Sequence, residues 1–143
     1  MALFCFRKLF YRTRQDGKAT VLPEGQGRRV LMVSRHPGAV AWLTLNTGLT
    51  GAEHLRHLPD NDALEAGDVV IGTLPVHKIA DLTARGVHYL HLTFDVPAAL
   101  RGQELSVVTM EQLGARLVPF RAHVAEWPEA ALASTHLQEK AHD

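Results

Sequence analysis

Two short segments of the sequence carry residues whose chemistry suits phosphate. The first is Ser34-Arg35-His36-Pro37-Gly38, and the second is Gly72-Thr73-Leu74-Pro75. An arginine can hold a phosphate with two parallel hydrogen bonds, hydroxyl groups donate to phosphate oxygens, and histidine exchanges protons near neutral pH. We therefore predict a ligand-binding set of Ser34, Arg35, His36, Pro37, Gly38, Gly72, Thr73, Leu74 and Pro75.

Each segment lies between a predicted strand and a predicted helix. Apolar runs rich in β-branched residues predict strands over residues 30–33 and 69–74. Pro37 and Pro75 each predict the start of a helix, because proline suits the first helical position. A helix start offers free N–H groups and a partial positive charge, and both attract anions.

The residues around the two prolines allow two interpretations. His36 and Leu74 are poor N-caps, so the free N–H donors are expected to be left for a ligand. Gly38 and Gly72 would then let that ligand approach the backbone closely. Alternatively, the prolines and glycines serve packing alone. An anion held here would be a phosphate or nucleotide in a local pocket.

The elements that must position these segments form a small α/β domain. The first helix is predicted to end at Gly48 and the second, which runs to Arg85, at Gly86. A strand over residues 87–94 follows and should lie parallel to the strand before the second helix. A weaker strand is predicted over residues 52–58. The expected fold is an open, mostly parallel sheet flanked by helices, with ligands beyond the carboxyl ends of its strands.

A final helix is predicted from an apolar stripe at helical spacing. Thr109 and Gln112 are predicted to form its capping box, and Pro119 is predicted to kink it. The stripe consists of Met110, Leu113, Leu117, Phe120 and Val124.

Composition excludes several classes of protein. The 143 residues are 46% hydrophobic and carry 15 basic against 15 acidic side chains, as expected for one globular domain. The absence of net charge disfavours DNA as a partner. The single Cys5 permits neither an intramolecular disulfide nor a thiolate metal cluster. No apolar stretch reaches the ~20 residues of a membrane helix, so we expect a cytoplasmic protein without stable membrane association.

The chain is predicted to divide into three parts. Residues 1–28 form a basic, partly aromatic N-terminal extension, with a polar linker over residues 15–28. Residues 29–127 form the domain, and residues 128–143 form a polar tail. The extension is either a surface for membrane, RNA or a protein partner, or an added helix or strand that covers a hydrophobic edge.

The nine histidines do not predict a metal site. The pairs His54/His57 and His88/His91 are each three residues apart, and on a strand such side chains point to opposite faces. No metal-binding motif of the HExxH type occurs. We therefore expect neither a metal nor another cofactor. Asp95, at a strand's carboxyl end, is either a base or an acceptor that fixes a loop.

Residues 30–124 resemble the CRISPR-associated Csx-sixteen family, whose members are small stand-alone accessory proteins of type III systems. The resemblance is carried by the order and content of two motifs, residues 34–39 and residues 67–75. Shorter matches are Arg85-Gly86, Tyr89-Leu90-His91-Leu92, Asp95 with Pro97, Arg101-Gly102 and Glu104-Leu105.

This resemblance implies a Rossmann-like, CARF-like homodimer that cleaves cyclic oligoadenylate, chiefly cyclic tetra-adenylate, without a metal. A ribose 2′-OH attacks the neighbouring phosphorus, and linear adenylates with 2′,3′-cyclic phosphate ends result. The catalytic residues implied are Arg35 for charge stabilisation, His36 as general acid or base, and Ser34 to hold phosphate or ribose. The second-rank candidates are His57, Lys78 and Asp95. The alternatives are a non-catalytic binder of the same ring and a CRISPR accessory interaction protein.

Overall fold

The computed structural model describes residues 3–6, 9–13, 19–23, 29–49 and 52–127, and for the first three of these ranges it describes the backbone alone. Those ranges are strands β1 (Leu3–Phe6), β2 (Leu9–Thr13) and β3 (Ala19–Pro23), paired antiparallel in the order β1-β2-β3. The linker prediction therefore fails at Ala19–Pro23, where the chain pairs as a strand. The rest of the predicted linker and the predicted tail over residues 128–143 lie outside the described residues.

A five-stranded sheet forms the centre of the domain. Its strands are β4 (Val30–Val33), β5 (Glu53–Leu55), β6 (Val69–Gly72), β7 (His88–Thr93) and β8 (Arg116–Phe120), in the order β5-β4-β6-β7-β8. The first four strands of that order run parallel, and β8 pairs antiparallel with β7. The predicted small Rossmann-like, mostly parallel α/β sheet is confirmed.

Helices cover both faces of this sheet. On one face lie α1 (Pro37–Thr47) and α3 (Val107–Gln112), whose Trp42 and Met110 are buried in the same cluster as Ile71. On the other face lies α2 (Val76–Ala84), whose Leu82 is buried in the same cluster as Val70. Every residue of β6 is buried, which explains why this strand is apolar without alternation.

The ends of the first two helices follow from proline and glycine. Pro37 is the first residue of α1, and Gly48 ends it in a left-handed conformation with φ of 70°. Helix α2 begins one residue later than predicted, so Pro75 is its N-cap rather than its first residue. Gly86, also left-handed, follows that helix as predicted.

The predicted final helix is wrong beyond residue 112. Gly114 adopts φ of 74°, which stops the helix, and the chain returns as β8, where Leu117 pairs with Leu92. Of the apolar residues that mimic a helical stripe, Met110 lies in α3 and Leu117 and Phe120 lie in β8. Leu113 and Val124 lie outside both elements. The N-cap is Ser106, whose Oγ accepts from the Thr109 N–H at 3.1 Å, so the predicted capping box is also wrong.

Pro119 lies in the edge strand β8 rather than at a helix kink. Proline is tolerated there because, among the described strands, β8 pairs with β7 alone. None of the helices in the described part of the chain has the length and apolarity that a membrane crossing requires.

Candidate functional site

The two predicted segments lie side by side at the carboxyl edge of the sheet. β4 and β6 are parallel neighbours whose last residues, Val33 and Gly72, are paired. The chains stay together just beyond the strands, because Thr73 N–H donates to the Val33 carbonyl at 3.2 Å. We call residues 34–38 the first junction and residues 72–75 the second junction. Their predicted proximity is confirmed.

Ser34 organises the first junction from a buried position. Its N–H donates to the Leu55 carbonyl at 3.1 Å, and its Oγ accepts from the His36 N–H at 3.2 Å. His54 Nε2 donates to the Ser34 carbonyl at 2.9 Å. These bonds tie the turn to the edge strand β5 and keep the following residues, Arg35 and His36, exposed at the surface.

The start of α1 already has an acceptor within the chain. Glu104 comes from the loop before α3, and its Oε1 accepts from the Gly38 N–H at 2.8 Å. Its Oε2 lies 3.3 Å from His36 Nδ1. The expectation that the Gly38 donor is left for a ligand is therefore wrong in this structure.

Gly38 itself is required by packing. An added Cβ would overlap the carbonyl oxygen of Leu105, the residue after Glu104. The missing side chain thus lets the loop at Leu105, rather than a ligand, approach the backbone of Gly38 closely.

The second junction is held from inside the sheet. The hydroxyl of Tyr89, on β7, accepts from the Leu74 N–H at 2.9 Å and lies 3.0 Å from the Gly72 carbonyl. Burial raises the pKa of this tyrosine to about 12, so it stays protonated at neutral pH. Gly72 has φ of 144°, and a Cβ there would overlap the Val33 carbonyl. The absence of a side chain at this position therefore permits the close packing of β6 against β4.

His91 extends the tyrosine network. Its Nδ1 lies 2.7 Å from the Tyr89 hydroxyl, and its ring packs edge-on against Phe120 with centroids 5.5 Å apart. Burial lowers the pKa of His91, which favours the neutral ring. This network braces the second junction but does not line the cavities described below.

In the described part of the chain, three cavities surround the first junction, and Ser34 and His36 line all of them. The cationic cavity, of about 360 Å³, lies between the two junctions. Arg35, Arg56 and Lys78 line it together with His57, and none of its described lining residues is acidic. An open groove of about 550 Å³ continues past Arg35 and Arg56 along the start of α1.

The cations of this cavity differ in their partners. Lys78 pairs with the exposed Asp60, and this hydrogen bond lowers the pKa of that carboxyl. Within the described residues, neither Arg35 nor Arg56 has an ion-pair partner. Two arginines without carboxylate partners beside a lysine make the cavity suited to a phosphate or another anion.

The third cavity is mostly apolar and encloses about 270 Å³ on the α1 and α3 side of the junctions. It shares Ser34, His36 and Thr73 with the cationic cavity. Its polar rim adds Arg101, Gln103 and Glu104. The apolar lining consists of Ala39, Leu92, Phe94, Val96, Leu100, Leu105 and Met110.

Most of the predicted residues thus line a cavity, and two others instead support the backbone of the junctions. Those that line at least one cavity are Ser34, Arg35, His36, Pro37, Thr73, Leu74, Pro75, His57 and Lys78. Gly38 and Gly72 support the junctions, and Asp95 lies outside the three cavities, between the lining residues Phe94 and Val96.

Sequence reasoning missed Arg56 and Glu104 as site residues. Arg56 follows β5, and only the pairing of Leu55 with Val33 places it at the same edge as the junctions. Glu104 lies far from His36 in the chain, and nothing local marks it as the partner of α1. Within the described residues, no group of three His, Cys, Asp or Glu side chains could hold a metal ion.

Comparison with known proteins identifies the family. The family model described as "Putative CRISPR-associated protein (Cas_VVA1548)" matches residues 31–123, which include both junctions, Arg56 and Glu104. Because the match covers more than half of the chain, the protein belongs to this CRISPR-associated family. No curated protein and no solved structure matches the chain at a significant level.

Proposed function

We propose that this member of the Cas_VVA1548 family is a ring nuclease of the Csx-sixteen type. It binds cyclic oligoadenylate, chiefly cyclic tetra-adenylate, and cleaves it to linear adenylates with 2′,3′-cyclic phosphate ends. Such a reaction removes the second messenger and switches off type III antiviral signalling. The observation that carries the proposal is the pairing of a cationic cavity with a mostly apolar cavity across a shared wall of Ser34, His36 and Thr73.

The two cavities match the two chemical halves of a nucleotide. Arg35, Arg56 and Lys78 supply positive charge for the backbone phosphates. The apolar cavity beside them, of about 270 Å³, accepts a base whose edge can reach the polar rim. A ring with four phosphates presents this unit more than once, so a homodimer with two-fold symmetry would offer it duplicate sites.

Cleavage of the ring needs alignment, charge stabilisation and proton transfer. The ribose 2′-oxygen forms a bond to the adjacent phosphorus, the bond from phosphorus to the 5′-oxygen breaks, and a 2′,3′-cyclic phosphate results. Arg35 stabilises the negative charge that grows on the phosphorane oxygens. His36 takes the proton of the 2′-OH, and the departing 5′-oxygen takes a proton from solvent. Ser34 and Thr73 line the site near the phosphate.

The test uses purified protein and labelled cyclic tetra-adenylate, with and without EDTA, followed by chromatography. Linear di-adenylate with a cyclic phosphate end, formed at the same rate in EDTA, is the expected result. Intact ring recovered bound to the protein would contradict catalysis and support a non-catalytic binder. Neither binding nor cleavage of rings of three, four or six adenylates would contradict the proposed substrate class and support an accessory interaction protein.

A further inference from the structure

We infer that Glu104 is a positioning residue that fixes which ring nitrogen of His36 carries the proton. The inference rests on the proposed function, in which His36 accepts the 2′-OH proton. It concerns a residue on the polar rim of the apolar cavity that does not touch the reacting atoms and acts on them through the imidazole.

The hydrogen bonds of Glu104 determine the tautomer. Its Oε1 is engaged by the Gly38 N–H at 2.8 Å, and its Oε2 lies 3.3 Å from His36 Nδ1. An ionised carboxylate can only accept hydrogen bonds, so Nδ1 must carry the proton in this contact. The neutral ring then has its lone pair on Nε2, the nitrogen that is able to take a proton from a substrate hydroxyl.

The fold holds the carboxylate in place. The loop that carries Glu104 packs so closely on α1 that Gly38 has no room for a Cβ against the Leu105 carbonyl. The Gly38 N–H fixes one carboxylate oxygen, which aims the other at the imidazole. A general base oriented by a third group is an arrangement that recurs in proton-transfer catalysis.

A purely structural role for Glu104 is the competing explanation. A carboxylate at a helix start stabilises the helix whether or not a histidine is near it. The substitution Glu104→Gln separates the two roles. Its amide oxygen can still accept from the Gly38 N–H, but its NH₂ group would face Nδ1. The imidazole must then accept at Nδ1 and carry its proton on Nε2, which removes the base.

The experiment measures two properties of the full-length wild type and of Glu104→Gln. The first is the single-turnover rate of cyclic tetra-adenylate cleavage at saturating protein, with the dissociation constant of the ring measured beside it. The second is the tautomer of His36, read from ¹⁵N chemical shifts of the ring and assigned by the signal lost in His36→Ala. Glu65→Gln is the matched control, because Glu65 is exposed and precedes β6 at the opposite edge of the sheet.

We expect Glu104→Gln to bind the ring within about threefold of wild type and to cleave it about 10²-fold more slowly, the range of a lost general base. Its His36 should change from the Nδ1–H to the Nε2–H form, whereas Glu65→Gln should match wild type in both properties. A wild-type rate in Glu104→Gln would overturn the inference.

The tautomer measurement separates failure of this inference from failure of the proposed function. If the wild type cleaves no ring, the proposed function fails, but the ¹⁵N shifts still report on Glu104. The same tautomer in wild type and Glu104→Gln would overturn the inference whatever the activity. A tautomer change without ring cleavage would support the positioning role and require another substrate.

Discussion

The two junctions have the same order of backbone elements but are held by different kinds of side chain. Each is a parallel strand followed by a short turn, a proline and a helix, and the two strands are neighbours. At the first junction the start of α1 is held by Glu104, an exposed carboxylate from a distant loop. The second is held by Tyr89, a buried hydroxyl from the next strand.

This difference indicates that the first junction supplies the reactive side chains and that the second junction has the more structural role. At the first junction Glu104 and His36 are ionisable and exposed, and beside them lies Arg35, which has no ion-pair partner among the described residues. At the second junction the Leu74 N–H and the Gly72 carbonyl both hydrogen-bond to the Tyr89 hydroxyl. These two backbone groups therefore stabilise the fold and are not free to bind a ligand. We expect substitutions of Arg35 and His36 to change function and substitutions of Gly72 and Tyr89 to change stability.

The largest expected effect compares the two glycines. Gly72→Ala places a Cβ on the Val33 carbonyl at a positive φ, between two core strands that cannot separate. We expect it to lower the free energy of unfolding by about 3 kcal/mol or more. Gly38→Ala meets the Leu105 carbonyl in a loop that can shift. We expect a loss of only about 1–2 kcal/mol, with displacement of Glu104. Urea denaturation measures both, and equal losses would erase the distinction between the junctions.

Arg35→Ala tests the first junction alone. Because this exposed arginine has no described ion-pair partner, the free energy of unfolding should stay within about 0.5 kcal/mol of wild type. Ring cleavage should fall about 10²- to 10³-fold, as when one donor to a developing anion is removed. Arg29→Ala is the matched control, because it removes the same charge at the start of β4, where Arg29 pairs with Glu53. Unchanged cleavage by folded Arg35→Ala would remove Arg35 from the mechanism.

Tyr89→Phe should show the reverse pattern. It leaves the Leu74 N–H and the Gly72 carbonyl without their hydroxyl partner, at a cost of about 1–3 kcal/mol in the free energy of unfolding. Well below the melting temperature, ring cleavage should stay within about threefold of wild type, because Tyr89 does not line the cavities. A loss of cleavage larger than the loss of stability explains would place the second junction in the chemistry.

The smallest expected effect concerns pH. Burial lowers the pKa of His91 from its ordinary value of 6.5, so the native state binds fewer protons there than the unfolded state. Stability is therefore lost as pH falls through and below that ordinary value. Between about pH 8 and about pH 5, wild type should lose more unfolding free energy than His91→Gln. Parallel stability curves for the two proteins would show that the second junction does not sense pH.

Much of the fold is readable from the sequence because its signals are local. The apolar runs before Pro37 and Pro75 and the glycines after each helix mark β4, α1, β6 and α2 to within one or two residues. The prediction of the final helix fails for a physical reason. Residues at helical spacing were divided by Gly114 between α3 and β8, and only pairing with β7 makes the second half a strand.

The candidate site is less predictable because its contacts are distant. Parallel pairing of β4 and β6 is enough to predict that the two junctions meet. Arg56 reaches the same edge only through the three-residue strand β5, which lies within the weaker strand predicted over residues 52–58 but whose parallel pairing with β4 has no local signal. The bond between Gly38 and Glu104 spans 66 residues, so no local pattern could reveal that α1 already had an acceptor.

The same separation has a consequence for folding kinetics. Loops that join distant residues close late, because their entropy must be lost before the contact stabilises the chain. The elements β5, β6, α2 and β7 lie between the two ends of the Glu104 contact, so we expect this contact to form late. Few core residues lie in residues 98–106, so this loop can open without the sheet unfolding. Amide exchange at Gly38 should therefore be faster than exchange in β6, and it would report directly on how often the site is disassembled.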